Sequence, residues 1–361
     1  MRPTKTVGTY LFGRGCLDNL KERVTLHAPG EDDCVVYFID HFWRANEKMM
    51  PRLPARNKDV IQFVDTTHEP KTDQVDDLKI EVVTASEGRP IKLIVGIGGG
   101  ATLDIAKAVA NLLTNEGKAA DYQGWDLVKN PAVKKIGIPT LSGTGAEASA
   151  TCVMLNRAKN LKLGMNSIHT VYDELLLDPD LTASVPREQY FYTGMDTYIH
   201  CIESLAGSYR HAIADSYSRQ SLELARQVFL SDDMQSDQAR EAMMIASYLG
   251  GSAIGNSFVG VVHPFSAGLS VVFGTHHCLA NCLVMNAMQE FYPEETKEFH
   301  EMLKKQKIRL PVGICSNVTD EEMEKLYAST IIHEKPLRNA LGDNFKDILT
   351  PAKVAQIFRR M

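Results

Sequence analysis

A long charge-free segment lies in the second half of the chain. Residues 242–289 contain no Asp, Glu, Lys or Arg, although these four types make up 23% of the 361 residues. The first part, 242–262, is long enough to cross a bilayer. However, glycines and an asparagine interrupt it, it has no continuous run of large aliphatic residues, and three histidines follow. The segment therefore predicts helices buried inside a large helical domain, and no membrane association.

Composition restricts the class of protein further. The length predicts about two domains, and 44% hydrophobic residues suffice to build a core in each. The net charge of −6, without a long basic run, makes nucleic acid an improbable partner. Seven scattered cysteines without a C-x-x-C pair predict free thiols in a reducing compartment. Because no apolar segment follows the N-terminal charges, no secretory signal is expected, and we predict a cytoplasmic protein.

The first half of the chain alternates between two patterns. Short apolar runs at 34–39, 91–95 and 135–139 are typical of strands buried on both faces of a parallel sheet. A helix-period stretch at 102–113 lies between two of them, with Thr102 as its expected N-cap and Asp104 in its first turn. This alternation predicts an α/β dinucleotide-binding domain with a Rossmann-like parallel sheet over residues 1–185.

After Pro186 the strand pattern ends and helical periodicity takes over. The predicted helices are 188–206, 215–230, 238–249, 278–291, 295–305, 319–329 and 352–360. We therefore expect residues 186–361 to form a separate, all-helical domain.

Two glycine-rich turns follow predicted strands. The first, Gly98-Gly99-Gly100-Ala101, opens a predicted helix, where backbone N–H groups could bind a pyrophosphate. The alternative is a tight turn that needs positive φ. The second covers 139–147. Asp40 ends a predicted strand, where its carboxylate could accept hydrogen bonds from a ribose and favour NAD over NADP, or could simply cap a turn.

A set of potential metal ligands falls in the helical half. Asp196 and His200 are four residues apart, so they project from one face of a helix. His263 and His277 lie in the charge-free segment, which offers them no charged partner. A lone buried histidine is more often a satisfied core residue than a ligand, but four such residues in two uncharged stretches favour a metal site. Three imidazoles and one carboxylate suit Zn²⁺ or Fe²⁺ better than Ca²⁺ or Mg²⁺.

These motifs occur in a characteristic order. They are GGGATLDIAKA at 98–108, IPTLSGTGAE at 138–147, LDPDLT at 177–182, GMDTYIHCIE at 194–203, His263, and HCLAN at 277–281. In order and spacing the chain resembles the iron-containing, or group III, alcohol dehydrogenase family over about residues 7–291. The resemblance implies an α/β domain, a helical domain, a cleft between them, a divalent metal (Zn or Fe) and NAD as cofactors, and we expect a homodimer.

The resemblance also assigns residues. Its metal ligands fall on Asp196, His200, His263 and His277. Its cofactor contacts fall on Asp40, Gly98, Gly99, Gly100, Ala101, Asp104, Thr140, Leu141, Thr144, Val153 and Lys162.

The chain departs from the family near the third ligand. Most members carry a second histidine four residues after it, close to the nicotinamide and the substrate, whereas this chain has Ala267. We expect His276, or water and the ribose hydroxyls, to carry the proton instead, and Lys162 to act in the site. Pro264 is expected to kink its helix.

The predicted reaction is hydride transfer between a primary alcohol or aldehyde and NAD. The resemblance is nearest to enzymes that oxidise the C8 hydroxyl of 3-deoxy-D-manno-octulosonate on the way to the 8-amino sugar of lipopolysaccharide. Lys162, Arg210 or Arg219 could bind the carboxylate of this sugar acid, although exposed surface charge is the simpler interpretation of the arginines. The alternatives are a short-chain diol or aldehyde reductase, a lyase similar to dehydroquinate synthase, and a non-catalytic sensor.

Overall fold

The computed structural model describes residues 3–47 and 49–361. These residues form two compact units. The first comprises the chain up to Leu141, Ala146–Lys159 and Leu163–Ser184; the second comprises Ser142–Gly145, Asn160–Lys162 and Val185–Met361. The second unit therefore begins at 185, where we predicted 186, and two short segments from the first half of the sequence belong to it.

The first unit contains a parallel sheet of six strands. In the order in which they pair, these are β1 (Thr9–Phe12), β9 (Glu174–Leu177), β6 (Lys134–Pro139), β4 (Ile91–Gly98), β2 (Cys34–Asp40) and β3 (Val60–Val64). The predicted strands are confirmed as β2, β4 and β6, the middle of the sheet. Strands β1, β3 and β9 were not predicted, because β1 and β3 are partly exposed edge strands and β1 and β9 have only four residues each.

Three further strands form a smaller sheet in the order β5 (Gly124–Trp125), β8 (Leu161–Asn166) and β7 (Thr151–Asn156). Helices α1 (Leu20–His27), α2 (Thr72–Ala85) and α3 (Gly100–Leu112) complete the α/β part of the chain. Helix α3 begins two residues earlier than predicted, with Gly99 as its N-cap. The assignment of Thr102 as N-cap was wrong, and Asp104 lies beyond the first turn.

Ten helices make up most of the second unit as described. They are α4 (Arg187–Ala206), α5 (Ala212–Phe229), α6 (Asp237–Ser257), α7 (Val262–Phe273), α8 (His277–Met285), α9 (Pro293–Gln306), α10 (Asp320–Ile331), α11 (Glu334–Leu341), α12 (Phe345–Ile348) and α13 (Pro351–Phe358). The short helices α11 and α12 were not predicted, and α7 was not delimited. The predicted end of α8 lies six residues too far along the chain, because the apolar pattern continues past the end of this helix.

The charge-free segment supplies the C-terminal part of α6 and all of α7 and α8. Its apolar side chains belong to one hydrophobic core, together with α4, α5 and the later helices. Within the described ranges no single helix has the length and apolar character to span a bilayer. Among the helices of the described residues, only the pair α6 and α7 meets that test, by length and composition, and the pair is bent by 103° at its junction.

Pro264 does not kink its helix. Because α7 begins at Val262, Pro264 lies in the first turn, where a missing backbone N–H leaves no intrahelical hydrogen bond unmade. The predicted kink was therefore wrong, and the early proline is compatible with a helix that begins at Val262 and carries His263 in its first turn.

Candidate active site

Four side chains from three helices of the second unit converge on one point. Asp196 and His200 lie one turn apart on α4, His263 lies in the first turn of α7, and His277 is the first residue of α8. One donor atom of each lies within 4.8 Å of the other three. The structure thus brings together the four residues that the sequence predicted as ligands.

These donor atoms are close enough together to share one metal ion. The Nε2 atoms of His200 and His263 lie 3.5 and 3.3 Å from Asp196 Oδ1, and His277 Nε2 lies 3.5 Å from Oδ2 of the same carboxylate. Donors about 2.1 Å from a tetrahedral Zn²⁺ would be about 3.4 Å apart. The imidazole and carboxylate donors also have the chemistry that Zn²⁺ or Fe²⁺ prefers.

Burial and mutual charge determine the protonation of this cluster. Burial opposes the charge of Asp196, but the neighbouring histidines, first His200 and then His277, outweigh it and hold the pKa of this carboxyl below its ordinary value. Burial lowers the pKa of His200 to about 4. At neutral pH the carboxylate is therefore ionised and His200 is neutral, which are the forms that bind a cation.

Glu203 fixes the orientation of His263. It is fully buried on α4, one turn after His200, and its Oε1 accepts a hydrogen bond of 2.5 Å from the backbone N–H of Val262. Its Oε2 is hydrogen-bonded to Nδ1 of His263. Burial lowers the pKa of His263, but Glu203, and then Asp196, raise it to about 9. By binding Nδ1, Glu203 turns Nε2 of the His263 imidazole towards Asp196. In many metal sites a carboxylate orients a ligand histidine in this way.

Two further side chains contact the ligands. Asn281, one turn after His277 on α8, donates from Nδ2 to Asp196 Oδ1 at 2.6 Å and lies 3.3 and 3.2 Å from Nε2 of His263 and His277. The Cys278 thiol lies 3.8 Å from Asp196 Oδ2. Both oxygens of the ligand carboxylate are therefore held in place from α8.

Substituting Glu203 by Gln is expected to weaken metal binding about 10- to 100-fold without removing a ligand, because the imidazole of His263 loses its charged acceptor. A competition titration with a chelator would measure this change. Glu298→Gln is a suitable control, because Glu298 is also an ion-paired carboxylate of the helical unit, with Arg226 as its partner. If the Glu203 variant binds Zn²⁺ as tightly as the wild type, the orienting role is wrong.

The predicted cofactor residues of the first unit gather at one edge of its sheet. Asp40, Gly98 and Thr140 lie at or just beyond the carboxyl ends of the adjacent strands β2, β4 and β6, and the Thr140 N–H donates to Gly98 O at 3.0 Å. The chain order of the strands reverses between β2 and β4. Ligands of open α/β sheets bind at such a switch point.

Gly98 and Gly99 of the first turn are required because neighbouring side chains leave no room for a Cβ, and not because φ is positive. Gly99 has φ of −76°, and a Cβ there would lie 2.7 Å from Leu141 Cδ1. A Cβ on Gly98 would lie 2.7 Å from Thr102 and 3.0 Å from Cβ of Asp40. The turn is thus a close-packed start of α3, which leaves the first N–H groups of the helix at the switch point.

Two predicted cofactor residues have internal partners. The Asp40 carboxylate caps its own turn by accepting from the Phe42 N–H at 3.0 Å, and it also accepts from Thr66 Oγ1 at 3.1 Å. Asp104 accepts from the Val153 N–H at 2.9 Å and is ion-paired with the fully buried Lys107 at 2.9 Å. Burial raises the pKa of Asp104. A cofactor role of these side chains remains a prediction.

The second glycine turn is divided between the two units. Ser142–Gly145, which includes Thr144, belongs to the helical unit. The Gly143 N–H donates to Ser247 Oγ at 2.8 Å, and Thr197 Oγ1 donates to Gly143 O at 2.6 Å. Helices α4 and α6 therefore hold the backbone of this turn.

The remaining predicted residues have different environments. Lys162 is buried in the helical unit, and its Nζ donates to Ser270 Oγ at 3.2 Å. His276 is exposed at the N-cap of α8. Arg210 and Arg219 both lie close to Asp215 at the surface, so the surface-charge interpretation holds for the two arginines.

Glu203 and Asn281 occur in the motifs at 194–203 and 277–281, but no role was predicted for either residue. Spacing alone could have identified both. Asp196, His200 and Glu203 are separated by four and three residues, and so are on one helical face, and His277 and Asn281 are four apart.

Comparison with known proteins identifies the family. Residues 8–179 match the family model described as iron-containing alcohol dehydrogenase, and 190–332 match that of the C-terminal part of the Fe-containing alcohol dehydrogenase family. The chain belongs to the iron-containing alcohol dehydrogenase family, which confirms the resemblance seen in the sequence.

Individual relatives agree with this family. The sulfoacetaldehyde reductase of Bilophila wadsworthia (strain 3_1_6) is 36% identical over 192 residues, which are 52% of this chain and 49% of the relative. The match thus spans about half the length of that relative. The crystal structure of a 1,3-propanediol oxidoreductase has a TM-score of 0.82 at 20% identity and 99% coverage of both chains. The sulfoacetaldehyde reductase of Bifidobacterium kashiwanohense, solved with NAD+, has a TM-score of 0.78 at 22% identity and covers 99% of this chain and 98% of its own. These structures confirm the predicted fold.

Proposed function

We propose that this protein is a divalent-metal-dependent and NAD-dependent oxidoreductase that interconverts a primary alcohol and an aldehyde. The observation that carries this proposal is the convergence of Asp196, His200, His263 and His277 within 4.8 Å of one another. Membership of the iron-containing alcohol dehydrogenase family supports it, as does the NAD+ complex of a protein with the same fold.

The four side chains would hold Zn²⁺ or Fe²⁺, and a cation at this site supplies Lewis acidity that lowers the pKa of a bound hydroxyl. Asp196 offsets the positive charge, and Glu203 keeps His263 in the tautomer that exposes Nε2. NAD, when bound, accepts or donates the hydride. Its pyrophosphate would meet the N–H groups at the start of α3, next to the residues at the carboxyl ends of β2, β4 and β6.

For the substrate, we propose a small anionic alcohol or aldehyde. The sequence resemblance favours the C8 hydroxyl of 3-deoxy-D-manno-octulosonate, and sulfoacetaldehyde, named in two relatives, is also an anion. Lys162, on β8, is the candidate for binding the anionic group, because it is buried in the same unit as the cluster and its ammonium donates to Ser270 on the ligand-bearing helix α7. An uncharged diol such as 1,3-propanediol is the second candidate, supported by a relative of that name.

The proposal is tested with chelator-treated protein reloaded with Zn²⁺ or, anaerobically, with Fe²⁺. NADH absorbance is followed with the sugar acid, sulfoacetaldehyde and 1,3-propanediol. We expect turnover only after metal is added, with kcat/KM at least about tenfold higher for an anionic substrate than for the diol. A clear preference for the diol would contradict the anionic substrate class. Turnover without net change in NADH would favour the lyase, and a reloaded protein inactive on every substrate would contradict the proposed function.

Homodimer assembly and a cytoplasmic location remain proposals that rest on the resemblance and on the composition of the chain.

A further inference from the structure

The segment that joins α6 to α7 is strained at one residue. Phe258, which follows the last residue of α6, has φ of +71° and ψ of +164°. For a residue with a side chain these backbone angles are costly, and they are adopted almost only by glycine. Such strain persists only where the surrounding contacts enforce it, and it is concentrated at functional sites. The strained residue lies five positions before His263, one of the four predicted metal ligands.

Helix α11 supplies contacts that enforce the strain. Asn339 on this helix is buried, and its Nδ2 donates to the carbonyl oxygens of residues 257, 258 and 259 at 3.1, 3.4 and 3.1 Å. Lys335, one turn earlier on α11, places its Nζ 4.5 Å from the centre of the Phe258 ring. The two side chains therefore hold the strained residue through its backbone and through its ring.

The junction between α4 and α5 fixes Asn339 in turn. Its Oδ1 accepts from the Tyr209 N–H at 2.8 Å, and its backbone oxygen accepts from the Ser208 N–H at 2.7 Å. The Tyr209 ring also packs edge-on against Phe258, with ring centroids 5.6 Å apart. Because both ends of the side-chain amide have partners, Asn339 cannot turn away from residues 257–259 without leaving polar groups unpaired.

The other end of the segment contacts the metal cluster. The Val262 N–H donates to Glu203 Oε1 at 2.5 Å, and Glu203 Oε2 is hydrogen-bonded to Nδ1 of His263. A Cβ on Gly260 would lie 2.6 Å from the Tyr292 hydroxyl oxygen and 3.2 Å from Glu203 Oε1. The short segment thus runs from the Asn339 amide to the carboxylate that orients a ligand, and it is closely packed where it meets that carboxylate.

We propose that Asn339 is a positioning residue of the metal centre: it holds Phe258 in its strained conformation and thereby places His263, at the start of α7, in the cluster. This inference rests on the proposed function, because it requires a metal ion at these ligands. A relaxed Phe258 would change the direction of the chain at the 103° bend between α6 and α7. Nε2 of His263 would then move from its place 3.3 Å from Asp196 Oδ1.

The test compares the Zn²⁺ affinity of Asn339→Ala and Gln306→Ala in a competition titration with a chelator. Gln306 is a matched control, because its buried amide likewise donates to two carbonyl oxygens, those of Phe229 and Ser231, after the end of α5. Both substitutions leave carbonyl oxygens without their donor, so the melting temperature should fall by several degrees in both variants. Zn²⁺ affinity should fall at least about tenfold in Asn339→Ala alone. In Co²⁺-loaded protein the visible absorption bands, which report coordination geometry, should change in the same variant alone.

Substitutions of Phe258 separate positioning from packing. Phe258→Gly and Phe258→Ala both lose the ring, but only glycine adopts these backbone angles without strain. In the Asn339→Ala background we therefore expect the glycine double variant to bind Zn²⁺ at least about threefold more tightly than the alanine double variant. Loss of packing is the same in the two, so equal affinities would contradict a strain that Asn339 enforces.

Metal binding and turnover test the inference and the proposed function separately. If the wild type binds Zn²⁺ and Asn339→Ala binds it as tightly, or if Gln306→Ala loses as much affinity, the inference is wrong while the proposed function stands. If the wild type binds Zn²⁺ without turning over any substrate, the proposed function fails, and the tenfold difference in affinity still supports the inference. A wild type that binds no metal overturns both. Should Asn339→Ala not fold, Asn339→Asp replaces it, since Asp keeps an acceptor for Tyr209 and lacks the amide donors.

Discussion

Asp196→Asn is expected to abolish metal retention, because it removes the only negative charge among the four ligands. The carboxylate faces all three imidazoles at 3.3 to 3.5 Å and is fully buried. In so dry a site three neutral donors cannot offset the charge of a divalent cation. Loss of a carboxylate that only orients a ligand typically weakens metal binding about 10- to 100-fold. We therefore expect loss of the ligand carboxylate itself to weaken metal binding more than about 100-fold.

The measurement is the metal content after dialysis against a weak chelator, together with NADH-linked turnover. Wild type should retain about one ion per chain and Asp196→Asn none, with activity falling to background. Asn keeps the shape and one oxygen acceptor for Asn281, so the melting temperature of the metal-free variant should remain near that of the metal-free wild type.

Asp232→Asn provides the matched control, because Asp232 is 98% exposed in the same unit and pairs only with Lys305 among the described residues. It should leave metal content and activity unchanged. An Asp196→Asn protein that still holds one Zn²⁺ per chain would show that the cluster is not the metal site, whatever its activity.

Sequence patterns predicted the parts of this protein in which a local signal and the tertiary structure agree. Strands β2, β4 and β6 are buried on both faces over most of their length, and their sequences are correspondingly apolar apart from lysines near the start of β4 and β6. The ligand pair on α4 follows from helical spacing. The ligands on α7 and α8 are identifiable because they lie in a segment without charged residues.

The rest depends on contacts between residues distant in sequence. Lys162 is 108 residues from Ser270, the hydrogen-bond partner of its ammonium in the helical unit. Likewise, no local pattern shows that Lys162 and Ser142–Gly145 belong to the helical unit. Edge strands such as β1 are short and partly exposed, so their sequences give a weaker apolar signal than the buried central strands.

The glycine turns show a different limit of sequence interpretation. The sequence suggested phosphate binding or positive φ for the first turn, yet the side chains of Thr102 and Leu141 occupy the space that a Cβ would need. In the second turn, one residue, Gly143, has both a positive φ and no room for a Cβ. Gly143 has φ of +148°, and a Cβ there would lie 1.7 Å from the carbonyl oxygen of Thr193 on α4.

Gly143→Ala is therefore expected to destabilise the protein by at least about 4 kcal/mol, the upper end of single-substitution effects. The clash is with backbone atoms, so rotation of a side chain cannot relieve it, and positive φ adds strain of about 1–2 kcal/mol. Moving the turn away from α4 would also break the hydrogen bonds of Gly143 with Ser247 and Thr197, both of which are buried.

Gly255→Ala on α6 is the matched control. Apart from its own helix backbone and chain neighbours, no described residue has an atom within 4 Å of a Cβ at Gly255, and its φ is outside the left-handed region, so alanine should stabilise the helix by up to about 1 kcal/mol. Thermal and urea unfolding of both variants measure the two effects. A Gly143→Ala protein within 1 kcal/mol of the wild type would show that the turn can move away from α4, and that its glycine is not fixed by packing. If Gly143→Ala folds only in part, NAD binding should weaken as well. Thr144, a predicted cofactor residue, follows Gly143 directly and would lose its position together with the turn.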